Sequence, residues 1–199
     1  MTSRTLFAAV LVAGAVALGA CSGSSHSSHS SSATIPASAS FNATDVGFAQ
    51  GMIPHHAQAV EMADMAIARS TNADVLALAR QIKAAQGPEI DTMTSWLTSW
   101  DQPIPSTSGS HDMTGMEHMM MDGMMSQSDM TRLASATGTA FDRLWLDMMI
   151  LHHEGAVKMA REELADGKDA DAKKLALAII DGQTAEIATM NALLARLPA

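Results

Sequence analysis

The sequence predicts an all-α protein, a four-helix bundle of ferritin-like type made of two duplicated helical hairpins. Hydrophobic residues make up 47% of the 199-residue chain, yet only 4% are aromatic and none is tyrosine, whereas 17 are methionine. This composition favours helices, because good helix formers abound and the residues typical of strands are scarce. Two further observations support the prediction: an internal repeat, and the helical spacing of apolar residues within each copy.

The internal repeat has a single offset and defines the two halves of the bundle. Residues 52–63 align without gaps with residues 149–160, and both segments read Met-Ile-x-His-His-x-x-Ala-Val-x-Met-Ala. The same offset of 97 residues aligns a second motif, Gln-x-x-Glu-Ile, which begins at Gln86 in the first copy. Because one offset joins two separated motifs, residues 45–100 and 139–197 are predicted to be copies of one hairpin.

Each half is predicted to form two antiparallel helices joined by a short loop. Asn72 provides a helix cap in the first loop and Gly167 a helix stop in the second. Short loops of this kind join antiparallel neighbours in bundles. Pro54 and Pro88 fall inside helical patterns, where they are expected to kink or locally open the helix. The predicted long helices span residues 45–69, 73–99, 139–165 and 169–197.

The first 40 residues are predicted to lie outside the bundle, which spans 41–199. The apolar run from Leu6 to Ala20 is too short for a membrane span but has the length of the hydrophobic region of a signal peptide. It closes on Leu-Gly-Ala-Cys21, which resembles the cleavage box of bacterial lipoproteins. The resemblance implies that residues 1–20 are removed and that Cys21 carries a lipid anchor; the alternative is an ordinary secretory signal. Residues 21–40, mostly Ser and Ala, are predicted to form a flexible tether.

Charge and cysteine content exclude several classes of function. The net charge of −9 argues against sequence-independent binding to nucleic acid. One cysteine excludes an intrachain disulfide framework, a zinc finger and a cysteine-ligated iron–sulfur cluster. No catalytic triad motif, phosphate loop or Rossmann fingerprint occurs, so no common enzyme class is indicated.

Two glutamates and two histidine pairs are predicted to meet inside the bundle. Glu89 lies on the inward seam of the second helix with Ile82, Gln86 and Met93, and the repeat places Glu186 likewise. Because an unpaired buried carboxylate is costly, each glutamate is expected to face the histidines. Two interpretations stay open: a metal site, or a hydrogen-bond network that fixes the helix register. The candidate ligands in the bundle are Met52, His55, His56, Met62, Glu89, Met93, Met148, Met149, His152, His153, Met159, Glu186 and Met190.

The histidine and glutamate set resembles the carboxylate–histidine centres of ferritin-like di-metal bundles. The Glu-x-x-His spacing of that class is absent here, which weakens the prediction of a di-iron centre. The mixed nitrogen, oxygen and sulfur set favours copper in either oxidation state over a hard cation.

The connection between the halves, residues 101–130, holds a second predicted metal site. Eight of the 17 methionines fall between residues 113 and 130, in a stretch without helical periodicity. Thioether sulfur is a soft ligand that selects Cu(I), and by the same logic Ag(I), and it needs no deprotonation. The alternatives are an adaptable apolar surface and sacrificial oxidation. The candidate ligands are His111, Met113, Met116, His118, Met119, Met120, Met121, Met124 and Met125.

The end of this connection is predicted to be helical. Ser126 and Asp129 have the spacing of a capping box, which predicts a short helix over residues 126–135.

The duplicated histidine motif, together with the trailing Gln-x-x-Glu-Ile, resembles domain-of-unknown-function family 305 (DUF305). The resemblance covers about residues 41–197 and includes a methionine-rich insert between the halves. It implies a ferritin-like four-helix bundle that is exported. Some members of the family are periplasmic copper-binding proteins that contribute to copper resistance, which implies copper handling here.

The sequence therefore predicts a lipid-anchored, extracytoplasmic protein that binds Cu(I) or Cu(II) for buffering, delivery or resistance. Metal ions and the membrane are its predicted partners, and the sequence names no protein partner. Two alternatives belong to other classes of protein. One is a metal-dependent oxidase, which would turn over in air once supplied with metal. The other is a metal-free interaction module of the envelope, which would gain no stability from metal.

Overall fold

The computed structural model describes residues 35–106 and 122–198, and over these ranges the secondary structure consists of α-helices without strands. The predicted all-α bundle of two hairpins is confirmed, and every long helix begins and ends within two residues of its predicted bounds. None of the described helices is long and apolar enough to cross a membrane. The helices are α1 (Ala43–Arg69), α2 (Ala73–Ser99), α3 (Gln127–Ser135), α4 (Gly138–Asp166) and α5 (Ala170–Arg196).

Side-chain caps mark the start of four of the five described helices, α4 being the exception. The Asn42 side chain accepts hydrogen bonds from the backbone of Thr44 and Asp45 at the start of α1, and Asn72 caps α2 in the same way. The predicted capping box at Ser126 is present and opens α3. Such caps satisfy backbone N–H groups that have no partner within the helix. Both α1 and α2 continue as helices through their prolines, so the expected opening does not interrupt either helix.

The two hairpins, α1–α2 and α4–α5, meet mainly through α1 and α4. The indole N–H of Trp145 in α4 donates to the carbonyl oxygen of Met62 in α1 over 2.8 Å, and Trp145 is fully buried. Two apolar clusters fill the core, one around Trp145 and Met62 and one around Met52 and Met93. Along α1 the histidine pair falls between residues of the two clusters, so the histidines lie in the middle of the bundle.

A pair of buried carboxyl groups joins the start of α1 to the loop between α4 and α5. Asp45 accepts hydrogen bonds from the backbone N–H groups of Lys168 and Asp169. Burial would raise the pKa of Asp45, but these donors and the Asn42 N–H lower it overall. Burial, and then the neighbouring Asp45, raise the pKa of Glu163 to about 8, so the Glu163 carboxyl group is protonated at neutral pH.

Gly167 ends α4 as predicted, but for a different reason. Its φ is −66°, which any residue adopts, so the position needs no left-handed conformation. A methyl group there would overlap the carboxyl group of Glu163. The glycine therefore makes room for the buried carboxyl pair.

The last residues of the predicted tether pack onto the bundle. Ile35 contacts the core cluster around Met52, and the Lys168 ammonium group donates to the carbonyl oxygens of Ala37 and Ala39. The remainder of the predicted tether, like the predicted signal peptide and Cys21, lies outside the described residues.

Candidate metal centre

Two histidine rings are in contact where α1 crosses α4. His55 and His152 occupy equivalent positions of the repeat, and both side chains are fully buried. Their ring centroids lie 3.7 Å apart with an angle of 41° between the planes. The repeat therefore places its first histidine at the junction of the two hairpins.

Burial keeps both of these imidazoles neutral. Burial, followed by the neighbouring His56 and His153, lowers the pKa of His55 to about 3, against a hydrogen bond to Asp122 that raises it. Burial and the same crowding by other histidines hold the pKa of His152 well below its usual range. A neutral imidazole keeps one nitrogen lone pair, which is the form that binds metal ions.

The second histidine of each pair is bonded to a glutamate, as predicted. His56 Nε2 lies 2.7 Å from Glu89 Oε2, and His153 Nε2 lies 2.8 Å from Glu186 Oε2. A carboxylate accepts only, so each Nε2 carries the hydrogen of this bond. This is the way in which carboxylates orient metal-binding histidines, and it makes the glutamates orienting groups in this structure.

The two copies differ in how their glutamates are held. Gln81 of α2 donates through Nε2 to Glu186 Oε1 over 3.0 Å, which links α2 to α5. The equivalent position in the other copy is Ala178. The Glu186 side chain is 9% exposed and the Glu89 side chain 21%.

Several buried polar atoms in the interior have no hydrogen-bond partner. Five are imidazole nitrogens, namely Nδ1 of all four histidines and Nε2 of His152. The amide of Gln86 and the carbonyl oxygen of Gln183 are likewise unpartnered. Buried polar groups are normally satisfied, so this concentration of unpartnered polar atoms is suited to a ligand.

Thioether sulfurs are the other predicted ligands in the bundle. Met52 and Met149 lie one helical turn before His56 and His153, and both are fully buried. The remaining predicted methionines belong to the core, with Met159 half-buried. Among the described residues, no group of three or more His, Cys, Asp or Glu is placed to hold a metal ion. The groups that are present, imidazole nitrogen and thioether sulfur, fit a soft ion such as Cu(I) or Ag(I).

The end of the methionine-rich connection lies over the histidine pair. His55 Nε2 donates to the carbonyl oxygen of Asp122 over 3.3 Å. We call residues 122–125 the strap. Beside the strap is a cavity of about 510 Å³, and Met124, Met125 and Met148 are among its lining residues. The other predicted ligands of the connection lie outside the described residues: His111, Met113, Met116, His118, Met119, Met120 and Met121.

Three residues of α1 and α4 that contact the strap were not predicted from the sequence. They are Gln58, Gly155 and Lys158, and a signal for them exists in the repeat. Gln58 and Gly155 occupy the same repeat position, and Lys158 replaces the Glu61 of the first copy. A difference between two otherwise similar copies indicates that another segment of the chain contacts the two copies in different ways.

Comparisons with known proteins agree with the geometry. The sequence profile of DUF305, a domain of unknown function, matches residues 45–194. A DUF305 protein from Streptomyces coelicolor, described as secreted, is 34% identical with a TM-score of 0.68, covering 76% of this chain and 92% of that one. A DUF305 fragment from Deinococcus radiodurans is 33% identical with a TM-score of 0.68, covering 78% and 98%.

A third similar structure is CopM in its Cu(II)-bound form, 34% identical with a TM-score of 0.63, covering 75% of this chain and 95% of that one. CopM has also been solved with Cu(I) and with Ag bound. Comparison with curated protein sequences gave no match. The profile match over most of the chain, supported by structural neighbours above 30% identity, establishes that this protein is a member of the DUF305 family.

Proposed function

We propose that the protein is an exported, lipid-anchored copper-binding protein that takes up Cu(I) at its buried histidines and at its methionine-rich connection. Cu(II) and Ag(I) are further ions that the histidine and thioether groups accept. The protein buffers or delivers copper outside the cytoplasm and so contributes to copper resistance.

The observation that carries this proposal is the set of five buried imidazole nitrogens without partners. The low pKa of His55 and of His152 keeps these two rings neutral even in mildly acidic surroundings. His56 and His153 donate through Nε2 to Glu89 and Glu186, and their Nδ1 atoms have no hydrogen-bond partner. If the histidines served only a hydrogen-bond network, these buried nitrogens without partners would lower the stability of the fold with no compensating interaction.

The similar structures support copper as the ion, since CopM has been solved with Cu(I), Cu(II) and Ag. The Leu-Gly-Ala-Cys21 sequence supports the lipid anchor. Methionine thioethers suit an extracytoplasmic protein, because they neither need deprotonation nor form disulfides.

A competition titration with a chromophoric Cu(I) chelator tests the proposal. We compare the wild type with a variant of the methionine-rich connection, called the linker variant. In it five methionines are replaced by leucine and two histidines by asparagine, at constant chain length. The wild type is expected to bind the most Cu(I), and the linker variant to retain at least one equivalent in the bundle. Adding His55→Gln and His152→Gln to the linker variant is expected to remove that equivalent. A linker variant that binds no Cu(I) would overturn the assignment of a bundle site. The substituted linker residues are Met113, Met116, Met119, Met120, Met121, His111 and His118.

A further inference from the structure

The strap is held on the bundle by contacts to α1 and α4. Gln58 of α1 bonds both backbone groups of Met125: its Nε2 donates to the Met125 carbonyl oxygen over 2.9 Å, and its Oε1 accepts from the Met125 N–H over 2.7 Å. On the α4 side, the Lys158 ammonium group pairs with the Asp122 carboxylate. Both partners of this ion pair are more than half exposed, so it contributes little to holding the strap.

Two glycines allow the strap backbone to touch α4. A methyl group at Gly155 would overlap the carbonyl oxygen of Asp122, and one at Gly123 would crowd the carbonyl oxygens of Leu151 and His152. Gly123 also has φ +83°, which side-chain-bearing residues rarely adopt. The close approach to α4 therefore depends on glycine at both positions.

The repeat supplies these contacts asymmetrically. Gln58 and Gly155 occupy equivalent repeat positions on opposite sides of the α1–α4 crossing. The first copy provides the side-chain amide that bonds the strap, and the second provides a glycine that leaves space for the strap backbone. Between them lies the His55–His152 pair, with the Asp122 carbonyl oxygen on His55 Nε2. The strap thus covers the fully buried pair on the side of the cavity lined by Met124, Met125 and Met148.

We propose that Gln58 and Gly155 are positioning residues that hold the strap over His55 and His152, and that the strap must lift before a soft metal ion reaches these histidines from the cavity. Entry of a metal ion rests on the proposed function, whereas control by the strap of access to the imidazoles is independent of it.

The test uses Gln58→Ala, with Gln50→Ala as a matched control. Gln50 lies on the same helix and donates to the carbonyl oxygen of Pro103, at the other end of the connection and away from the histidine pair. In the metal-free protein we measure how fast diethyl pyrocarbonate modifies His55 and His152, followed by peptide mass spectrometry. Losing two hydrogen bonds to the strap is expected to raise this rate about tenfold in Gln58→Ala, with no change in Gln50→Ala.

Gly155→Ala provides a second way to displace the strap and is expected to raise the same rate. If that variant does not fold, the comparison between Gln58→Ala and Gln50→Ala decides alone. Equal modification rates in wild type, Gln58→Ala and Gln50→Ala would overturn the proposal.

A separate stopped-flow experiment measures the rate of silver uptake by the linker variant, with and without Gln58→Ala. Faster uptake with Gln58→Ala, at about the same final amount bound, supports control of access by the strap; an unchanged uptake rate contradicts it. If Gln58→Ala speeds modification but the bundle takes up no silver, the strap is confirmed as a cover and the proposed copper site is wrong.

Discussion

The metal-free protein is expected to lose stability steeply as the pH falls below about 6.5, and the double variant His55→Gln, His152→Gln is expected to lose much less. Both imidazoles are neutral in the folded state, where burial lowers their pKa, to about 3 for His55. On unfolding they return to the ordinary value of 6.5 and take up protons. Protonation therefore favours the unfolded chain, so this stability is present above pH 6.5 and is lost as the pH falls towards 3.

Within this window His55 lowers the free energy of unfolding by about 1.4 kcal/mol per pH unit, and His152 acts in the same direction. From pH 6.5 to 4 the loss due to His55 is about 3 kcal/mol, a large part of the 5–15 kcal/mol that is typical of domains. Glu163 acts in the opposite direction, because its raised pKa of about 8 makes stability fall as the pH rises from 4.5 through 8. Stability is therefore expected to peak at about pH 6.5.

Urea unfolding at a series of pH values measures this effect directly. The relevant quantity is the slope of the unfolding free energy against pH, which does not depend on how far the substitutions destabilise the protein as such. His26→Gln is the matched control, since this residue lies in the predicted tether. Equal slopes below pH 6.5 in the wild type and the double variant would contradict the assignment of buried neutral histidines.

Silver binding is expected to raise the melting temperature of the linker variant, although five methionines and both histidines of its connection have been replaced. A ligand that binds only the folded state stabilises it by about 2.7 kcal/mol at a hundredfold excess over Kd. The buried imidazole nitrogens without partners exist only in the folded bundle, so binding there is coupled to folding. Thermal unfolding with and without Ag(I), at pH 7 and low chloride, gives the shift.

Two controls identify the source of the stabilisation. His55→Gln with His152→Gln in the linker variant is expected to abolish the shift. Glu89→Gln keeps a hydrogen bond to His56 but removes the charge, and is expected to reduce the shift without abolishing it. If the linker variant melts at the same temperature with and without silver, only the connection binds metal.

Much of the fold could be predicted because each element has a local chemical signal. The repeat at one offset predicted the two hairpins, and capping residues such as Asn72 predicted where helices begin. The pairing of Glu89 with His56 followed from the cost of burying a carboxylate alone.

Other features depend on tertiary contacts that spacing does not encode. The stacking of His55 on His152 depends on how α1 crosses α4, and the strap is held by a backbone contact at Gly155. The protonated Glu163 depends on Asp45, which is 118 positions away in the chain. Only the difference between Gln58 and Gly155 at equivalent repeat positions could have indicated the strap beforehand.

The buried histidines are proposed to bind a soft metal ion through their unpartnered nitrogens. A ¹⁵N NMR measurement of the histidine ring nitrogens in the linker variant, before and after one equivalent of Ag(I), tests this binding. Large shifts are expected at the Nδ1 atoms of the bundle histidines, while Nε2 of His56 and of His153 keeps its hydrogen bond to the glutamate. If all four bundle histidines keep their metal-free ring nitrogen shifts, the interior is a hydrogen-bond network and the proposed metal site is wrong.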